Sequence, residues 1–262
     1  MTDNRIAETL FRCVTLLAAG LLLGTTTLLA DAAEIKVLAG SALEPVFPEL
    51  IPAFERASGN KVILDSDGAI GAMAARIEKG EVADVVIVSG AQIDRLVTQG
   101  KVAAGSRADL ARVGVGVFVR KGAPKPDIAT VDAFKRTMLA AKSIGYNDPA
   151  AGAPVSLYLL DLFERMGIAT EMKAKSVAFK QRTERFAPVA RGEVEIGFNQ
   201  ISEIIAAPGV DLAGPLPAAI QNYTQFSAGI VANGAQPAAA KAFIEFMASP
   251  AAKAVMKAKG FE

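Results

Sequence analysis

Ile35-Lys36-Val37-Leu38-Ala39-Gly40-Ser41-Ala42-Leu43 is the stretch whose reading decides the fold. Ile35 to Ala39 reads as a short buried strand. Gly40-Ser41-Ala42 is small enough to turn the backbone sharply, and Leu43-Glu44-Pro45-Val46-Phe47 opens a helix expected from Leu43 to Ala57, stopping at Ser58-Gly59. A strand that ends in small residues and feeds a helix leaves amide N–H groups pointing out of the carboxyl edge of a sheet. Such a helix start attracts anions through its unpaired N–H groups and its dipole, with no positively charged side chain. The same residues also suit the packed first βα unit of any α/β fold, so the stretch alone leaves both readings open.

Working outward, the same rhythm repeats. Val62-Ile63-Leu64 is a strand, Asp65 to Gly68 a polar turn, and Ala69 to Lys79 a helix closed by Gly80. Ala83 to Val88 is near-continuously apolar, as a central parallel strand should be, and Ser89-Gly90 leads into a helix that ends at Gly100. Three βα units with short connections predict a parallel sheet with right-handed crossovers. The rhythm then changes. Arg112 to Val119 mixes apolar residues with glycine and is long enough to run from one lobe into another, with Phe226 to Val231 as the return crossing. Between them lie a helix at Val131–Leu139, a strand at Ser143–Tyr146 and a turn-rich loop. Pro154 then starts a helix that runs through Met166. A helix at Arg182–Arg191 and a strand at Glu195–Phe198 follow. Asn199-Gln200-Ile201-Ser202 enters a helix, a Pro/Gly-rich stretch spans Pro208–Pro217, and helices at Pro237–Met247 and Pro250–Lys259 close the chain.

The chain opens with a basic start (Arg5, Arg12), an apolar run from Val14 to Ala30 broken by Thr25-Thr26-Thr27, and an A-x-A site at Ala30-Asp31-Ala32. That is the pattern of a cleaved secretory signal over residues 1–32, which implies a periplasmic protein. Cys13 precedes the apolar core, the wrong side for lipid attachment. Of 28 basic and 27 acidic residues, Arg5, Arg12, Asp3, Glu8 and Asp31 fall in the signal, which leaves 26 basic and 24 acidic. That balance gives no reason to expect nucleic acid as a partner. The remainder has no cysteine and no histidine. Disulfides, thiol nucleophiles, histidine metal ligands and Ser–His or Cys–His catalysis are thereby removed, and only carboxylate chemistry is left to an enzyme. The expectation is a protein with no catalytic residue, no metal and no cofactor.

Four stretches together carry a family resemblance. They are Val37 to Leu43, Gly68 to Val85, Asp148-Pro149 with the small residues before Tyr158, and the ending Ala242 to Ala252 with Gly260-Phe261. Over nearly the whole exported chain they resemble periplasmic solute-binding proteins of ABC importers, most closely the molybdate-binding branch. The resemblance implies a type II periplasmic-binding-protein fold, α/β and two-lobed. Each lobe would be a mixed, mainly parallel sheet flanked by helices, with two crossing strands between them. Lobe 1 would comprise residues 33–115 and 226–262, and lobe 2 residues 116–225. It also implies a monomer that captures a small anion such as molybdate or tungstate in the interlobe cleft and delivers it to a permease and ATPase complex.

Such a site holds a tetrahedral oxyanion with amides and hydroxyls at converging helix starts. The candidates are Gly40 and Ser41, Ala69 and Ile70, Val155 and Ser156, and Asn199 and Gln200. Ser41 leads, as a donor by hydroxyl and amide, against a plain helix-cap role. Ser156 could instead be a solvent-facing first-turn serine, and Asn199 a helix cap beside an exposed Gln200. Tyr158 suits core packing, Asp148-Pro149 a turn, and Asp84 a local cap. Arg76, Arg120 and Arg191 could reach the cleft rim. The chain departs from the molybdate branch in two places: Ala69 and Ile70 stand where that branch has serines, and Asn199-Gln200 where it has a tyrosine. Carboxamides recognise carboxylates as well as oxyanions, so a small carboxylate is the alternative ligand. A ligand-presenting sensor without transport is the alternative role.

Overall fold

The computed structural model describes residues 32–181 and 184–262; the expected signal segment lies, but for Ala32, outside them. Five elements build the first half of the fold. They are β1 (Glu34–Ala39), α1 (Phe47–Ser58), β2 (Lys61–Asp65), α2 (Ile70–Glu78) and β3 (Val85–Ser89), followed by α3 (Gly90–Thr98). β1 pairs in parallel with β2 on one side and β3 on the other. The connection after β1 corrects one expectation. Ser41–Leu43 forms a single 3₁₀ turn, and the α-helix begins only at Phe47. Pro48 sits in the first turn of α1, where a missing N–H costs nothing, and Gly59 ends it at φ 77°.

The long strand β4 (Ala108–Arg120) is the backbone of the molecule. Its first half lies antiparallel to β9 (Tyr223–Ile230), which pairs in turn with β3. From Val115 onward β8 (Val210–Pro215) takes over the edge that β9 leaves, and β7 (Ile196–Gln200) pairs with the opposite edge of β4. β5 (Ile144–Asn147) links β7 to β6 (Ser176–Phe179), both in parallel. The nine strands therefore form one hydrogen-bonded path, β2-β1-β3-β9-β4-β7-β5-β6, with β8 attached to β4. At the exchange point Gln221 stands in for a strand: its carboxamide accepts from Val115 N–H at 2.9 Å and donates to Val115 C=O at 3.0 Å. A Cβ on Gly114 would lie 3.0 Å from the Gln221 amide nitrogen, which explains the glycine.

The helices α4 (Val131–Ala140), α5 (Pro154–Arg165), α6 (Ala169–Lys175), α7 (Ala187–Ala190), α8 (Ile201–Ala206), α9 (Pro237–Met247) and α10 (Pro250–Ala258) cover the sheet. Two of these elements depart from the reading of the sequence. The Pro/Gly-rich stretch after Pro208 contains the edge strand β8, where a terminal proline costs no ladder bond. The helix expected over Arg182–Arg191 is only the short α7, among the described residues, because Pro188 fixes its first turn and Gly192 its end.

Apolar burial divides along β4. One core joins residues 35–113 to 226–261; a second gathers residues between Val115 and Leu216, and a smaller third surrounds Phe118. In the first, Phe54 meets Phe243 edge-on at 5.0 Å. In the third, Phe186 packs on Phe118 at 5.2 Å, and Gly197 is required because a Cβ there would lie 2.1 Å from the Phe118 ring. This two-lobed arrangement is the expected mixed α/β fold, and it brings the carboxyl ends of β1, β2, β5 and β7 to a common junction.

Candidate functional site

A cavity of about 40 Å³ lies at that junction, lined by Ser41, Ala42, Ala69, Ile70, Asn147, Ala153, Pro154, Val155, Arg185, Asn199, Gln200, Glu203 and Phe226. Its size suits one carboxyl-sized group, since a water position needs roughly 10–15 Å³ on this measure. Two larger depressions adjoin it. One of about 330 Å³ shares Ser41, Arg185 and Glu203; the other, of about 470 Å³, shares Ile70 and Pro154. A ligand larger than its buried end group therefore has room on either side.

The walls follow from the strand ends. After β1 the chain must pass against Ile70, and a Cβ on Gly40 would lie 2.4 Å from the Ile70 side chain. Gly40 thus serves close packing, and its amide donates to Ile87 C=O. The Ser41 amide is likewise taken, by Gly68 C=O at 3.0 Å, so the expected amide donor is not available. What Ser41 presents is its hydroxyl. Ala69 precedes α2 in an extended conformation and Ile70 opens that helix, both against the cavity. Across from them Pro154 opens α5 with no N–H of its own, so Val155 carries the first helical N–H there. Ser156 is fully buried, but its hydroxyl donates back to Asn147 C=O and does not line the cavity.

Two residues that the sequence reading did not select dominate the site's charge. Arg185 Nη1 lies 2.7 Å from Glu203 Oε1 and 3.0 Å from Ser41 Oγ, and Ser41 Oγ lies 3.1 Å from the same carboxylate oxygen. The side chains of Arg185 and Glu203 are only 15% and 10% exposed, so the pair is strengthened by poor solvent screening. Phe186, anchored on Phe118, fixes the segment carrying Arg185; the first turn of α8 carries Glu203. The Arg185 and Glu203 contacts to Ser41 join chain on either side of β4, as does the buried bond from Ser202 Oγ to Ala42 C=O. Glu203 was within reach of sequence reasoning, as an acid three residues after Gln200 at a helix start. Arg185 was not, because it sits in an irregular segment whose sequence suggests helix.

Asn199 and Gln200, at the end of β7, are 2% and 5% exposed. Among the described residues they hold the buried side-chain atoms without a hydrogen-bond partner, Asn199 Nδ2 and Gln200 Oε1. Their neighbours explain their orientation: Gln200 N–H donates to Asn199 Oδ1 at 2.8 Å, and Gln200 Nε2 donates to Thr224 Oγ1 at 3.1 Å. Two unsatisfied polar atoms in one cavity are costly unless something else meets them.

The remaining candidates lie elsewhere. Arg76 is held by Glu81 and Asp65, both at 2.6 Å, and Arg191 by Glu193 at 2.7 Å. Arg120 lines a separate groove with Lys142 and Glu193. None of the three lines the cavity. Tyr158 donates to Ile220 C=O and packs on the second core. Asp148 caps its own turn through Ala150 N–H. Buried Asp84 ties Lys36 N–H to Gln236 N–H, a local role.

Comparison with known proteins agrees with this fold. The molecule resembles the periplasmic molybdate-binding protein of Azotobacter vinelandii, with a TM-score of 0.72 at 23% identity over 87% of this chain and 98% of that one. It resembles the sulfate-binding protein SubI of Mycobacterium tuberculosis with a TM-score of 0.68 at 21% identity, covering 87% and 86%. By sequence it is 27% identical to the Azotobacter vinelandii molybdate-binding protein ModA, over 96% of this chain and 97% of that protein. It is 38% identical to an aconitate isomerase of a Pseudomonas species, over 93% of this chain and 94% of that protein. Residues 35–262 match the family model of the bacterial extracellular solute-binding proteins, and the chain belongs to that family.

Proposed function

We propose that the cleft takes a small organic polycarboxylate of the aconitate type and isomerises it. The observation that carries this is the buried Arg185–Glu203 pair on Ser41. A tetrahedral dianion such as molybdate is best held by neutral donors at converging helix starts, and here the Ser41 amide is already taken. An arginine, by contrast, suits the planar geometry of a carboxylate. The likeness to an aconitate isomerase supports this choice over molybdate.

Moving the double bond of such an acid requires three events. A C–H bond breaks on the saturated carbon beside a carboxyl group, the electron pair shifts through the allylic system, and a proton returns at its far carbon. No oxidant or metal is consumed. In this reading Arg185 takes the ligand's carboxylate, Ser41 hydrogen-bonds it, and Glu203 removes and returns the proton. This reading goes beyond the expectation of a purely binding protein by giving Glu203 the role of a base.

The second reading is capture without turnover: a monomeric periplasmic protein, its lobes hinged on β4 and β9, delivers the same ligand to an ABC permease and ATPase. Family membership favours it. Proton NMR of the exported chain with cis- and trans-aconitate in D₂O separates the two. The proposal expects interconversion with deuterium incorporation, lost in Glu203→Gln while trans-aconitate still raises the Tm. A Tm raised by aconitate without conversion leaves the capture reading. If aconitate does nothing and molybdate raises the Tm, the carboxylate reading is overturned, since a ligand of the native state must stabilise it.

A further inference from the structure

We infer that the Asn199–Gln200 end of the cavity recognises an oxygen that still carries its hydrogen, a hydroxyl or a protonated carboxyl, rather than a bare anion. This rests on the carboxylate reading above and names what a second part of the ligand must present. Both side chains are more than nine-tenths buried, and both line the cavity. Their free atoms are of opposite kinds: Asn199 Nδ2 can only donate and Gln200 Oε1 can only accept.

The Asn199 amide is held in that orientation because its oxygen already accepts the Gln200 N–H. The Gln200 amide gives its nitrogen to Thr224, which leaves the oxygen without a partner. The backbone of both residues is held in the β4–β7 ladder, where Val115 faces Gln200 and Gly116 faces Asn199. A bare carboxylate or oxyanion satisfies the donor but sets lone pairs against the Gln200 oxygen. A C–OH or COOH group offers both an acceptor for Asn199 and a donor for Gln200. Arg185 and Ser41 at the other wall would hold the ionised end, so the cavity reads one charged and one hydrogen-bearing oxygen group.

Isothermal titration of the exported chain with citrate and tricarballylate tests this, because the two acids differ by one hydroxyl. Each titration is run at one neutral pH in two buffers of different ionisation enthalpy, which measures proton uptake. A hydroxyl as the recognised group gives citrate an advantage of at least roughly tenfold, with no proton uptake. A protonated carboxyl gives uptake of about one proton per ligand, since these carboxyls are ionised in neutral solution. Either result supports the inference if Gln200→Met, similar in volume but without the acceptor, removes it. Thr224→Val, which removes the partner of the Gln200 amide nitrogen, is a second variant should the first not fold. Tight binding of both acids with no proton uptake and no hydroxyl preference overturns it and means that Gln200 presents its nitrogen. A signature unchanged in both variants overturns it too. If neither acid nor trans-aconitate binds, the carboxylate reading itself has failed and the inference falls with it.

Discussion

Two arginine–carboxylate clusters in this molecule make opposite uses of the same chemistry. Arg76 on α2 binds Glu81 and Asp65, and Lys36 adds a second cation to Glu81 at 2.9 Å. Around a third of the Arg76 side chain meets solvent. Arg185 and Glu203 are less than half as exposed and lie beside two orphaned carboxamide atoms. The first cluster has two cations for two carboxylates and fastens a helix end to its neighbouring strands. The second is buried, shares a single arginine nitrogen between a hydroxyl and a carboxylate, and lies against unmet hydrogen-bonding capacity. A satisfied cluster holds structure; an incompletely satisfied one in a cavity invites a ligand.

That contrast can be broken most directly at Arg185. Arg185→Met removes a charged hydrogen-bond donor from both Glu203 and Ser41 in a poorly solvated site; it is expected to cost about 1.5–3 kcal/mol, as a lower denaturant midpoint, and to abolish the carboxylate-induced Tm shift. Arg185→Met combined with Glu203→Gln should recover most of that stability without restoring ligand binding, which would separate the charge penalty from the site. Ser41→Ala should cost about 1 kcal/mol in the same denaturation experiment, because it removes a hydroxyl that touches both partners. Arg76→Ala should cost less than about 1 kcal/mol, reduced further by salt, and leave ligand binding unchanged.

The smallest effect sharpens the comparison through pH. Hydrogen bonds and charge from Arg76, then Lys36, hold the Glu81 carboxyl at about 2, below its ordinary 4.5. A depressed carboxyl stabilises the fold above its unfolded value and loses that contribution as pH falls toward the folded one. Wild-type Tm should therefore carry a component that is flat from pH 7 to 5 and declines between 4.5 and about 2, and Glu81→Gln should remove that component.

Much of the fold was legible. Apolar runs such as Ala83–Val88, and glycines closing helices at Gly59 and Gly80, depend on local chemistry that any single sequence displays. The strand β8 was hidden because an edge strand tolerates the proline and glycines that usually argue against one. At the site, Ser41, Ala69, Ile70, Val155, Asn199 and Gln200 all fell at strand ends, where an α/β sheet collects its ligand contacts. Ser156 was misjudged because nothing in the sequence says which way a first-turn hydroxyl turns. Arg185 escaped because its place is set by Phe186 docking on Phe118, 68 positions earlier in the chain, a long-range packing event without a local signal.

The Gln221 clamp on Val115 has a mechanical consequence. The Gln221 carboxamide meets both Val115 backbone groups where that edge of β4 passes from β9 to β8, alongside the backbone bonds of Val115 to Asn222 C=O and Leu216 N–H, so the sheet has no seam there. A distortion of either half is passed along a continuous ribbon of hydrogen bonds instead of being absorbed in a slack joint. The two cores are thereby coupled to melt as one calorimetric unit.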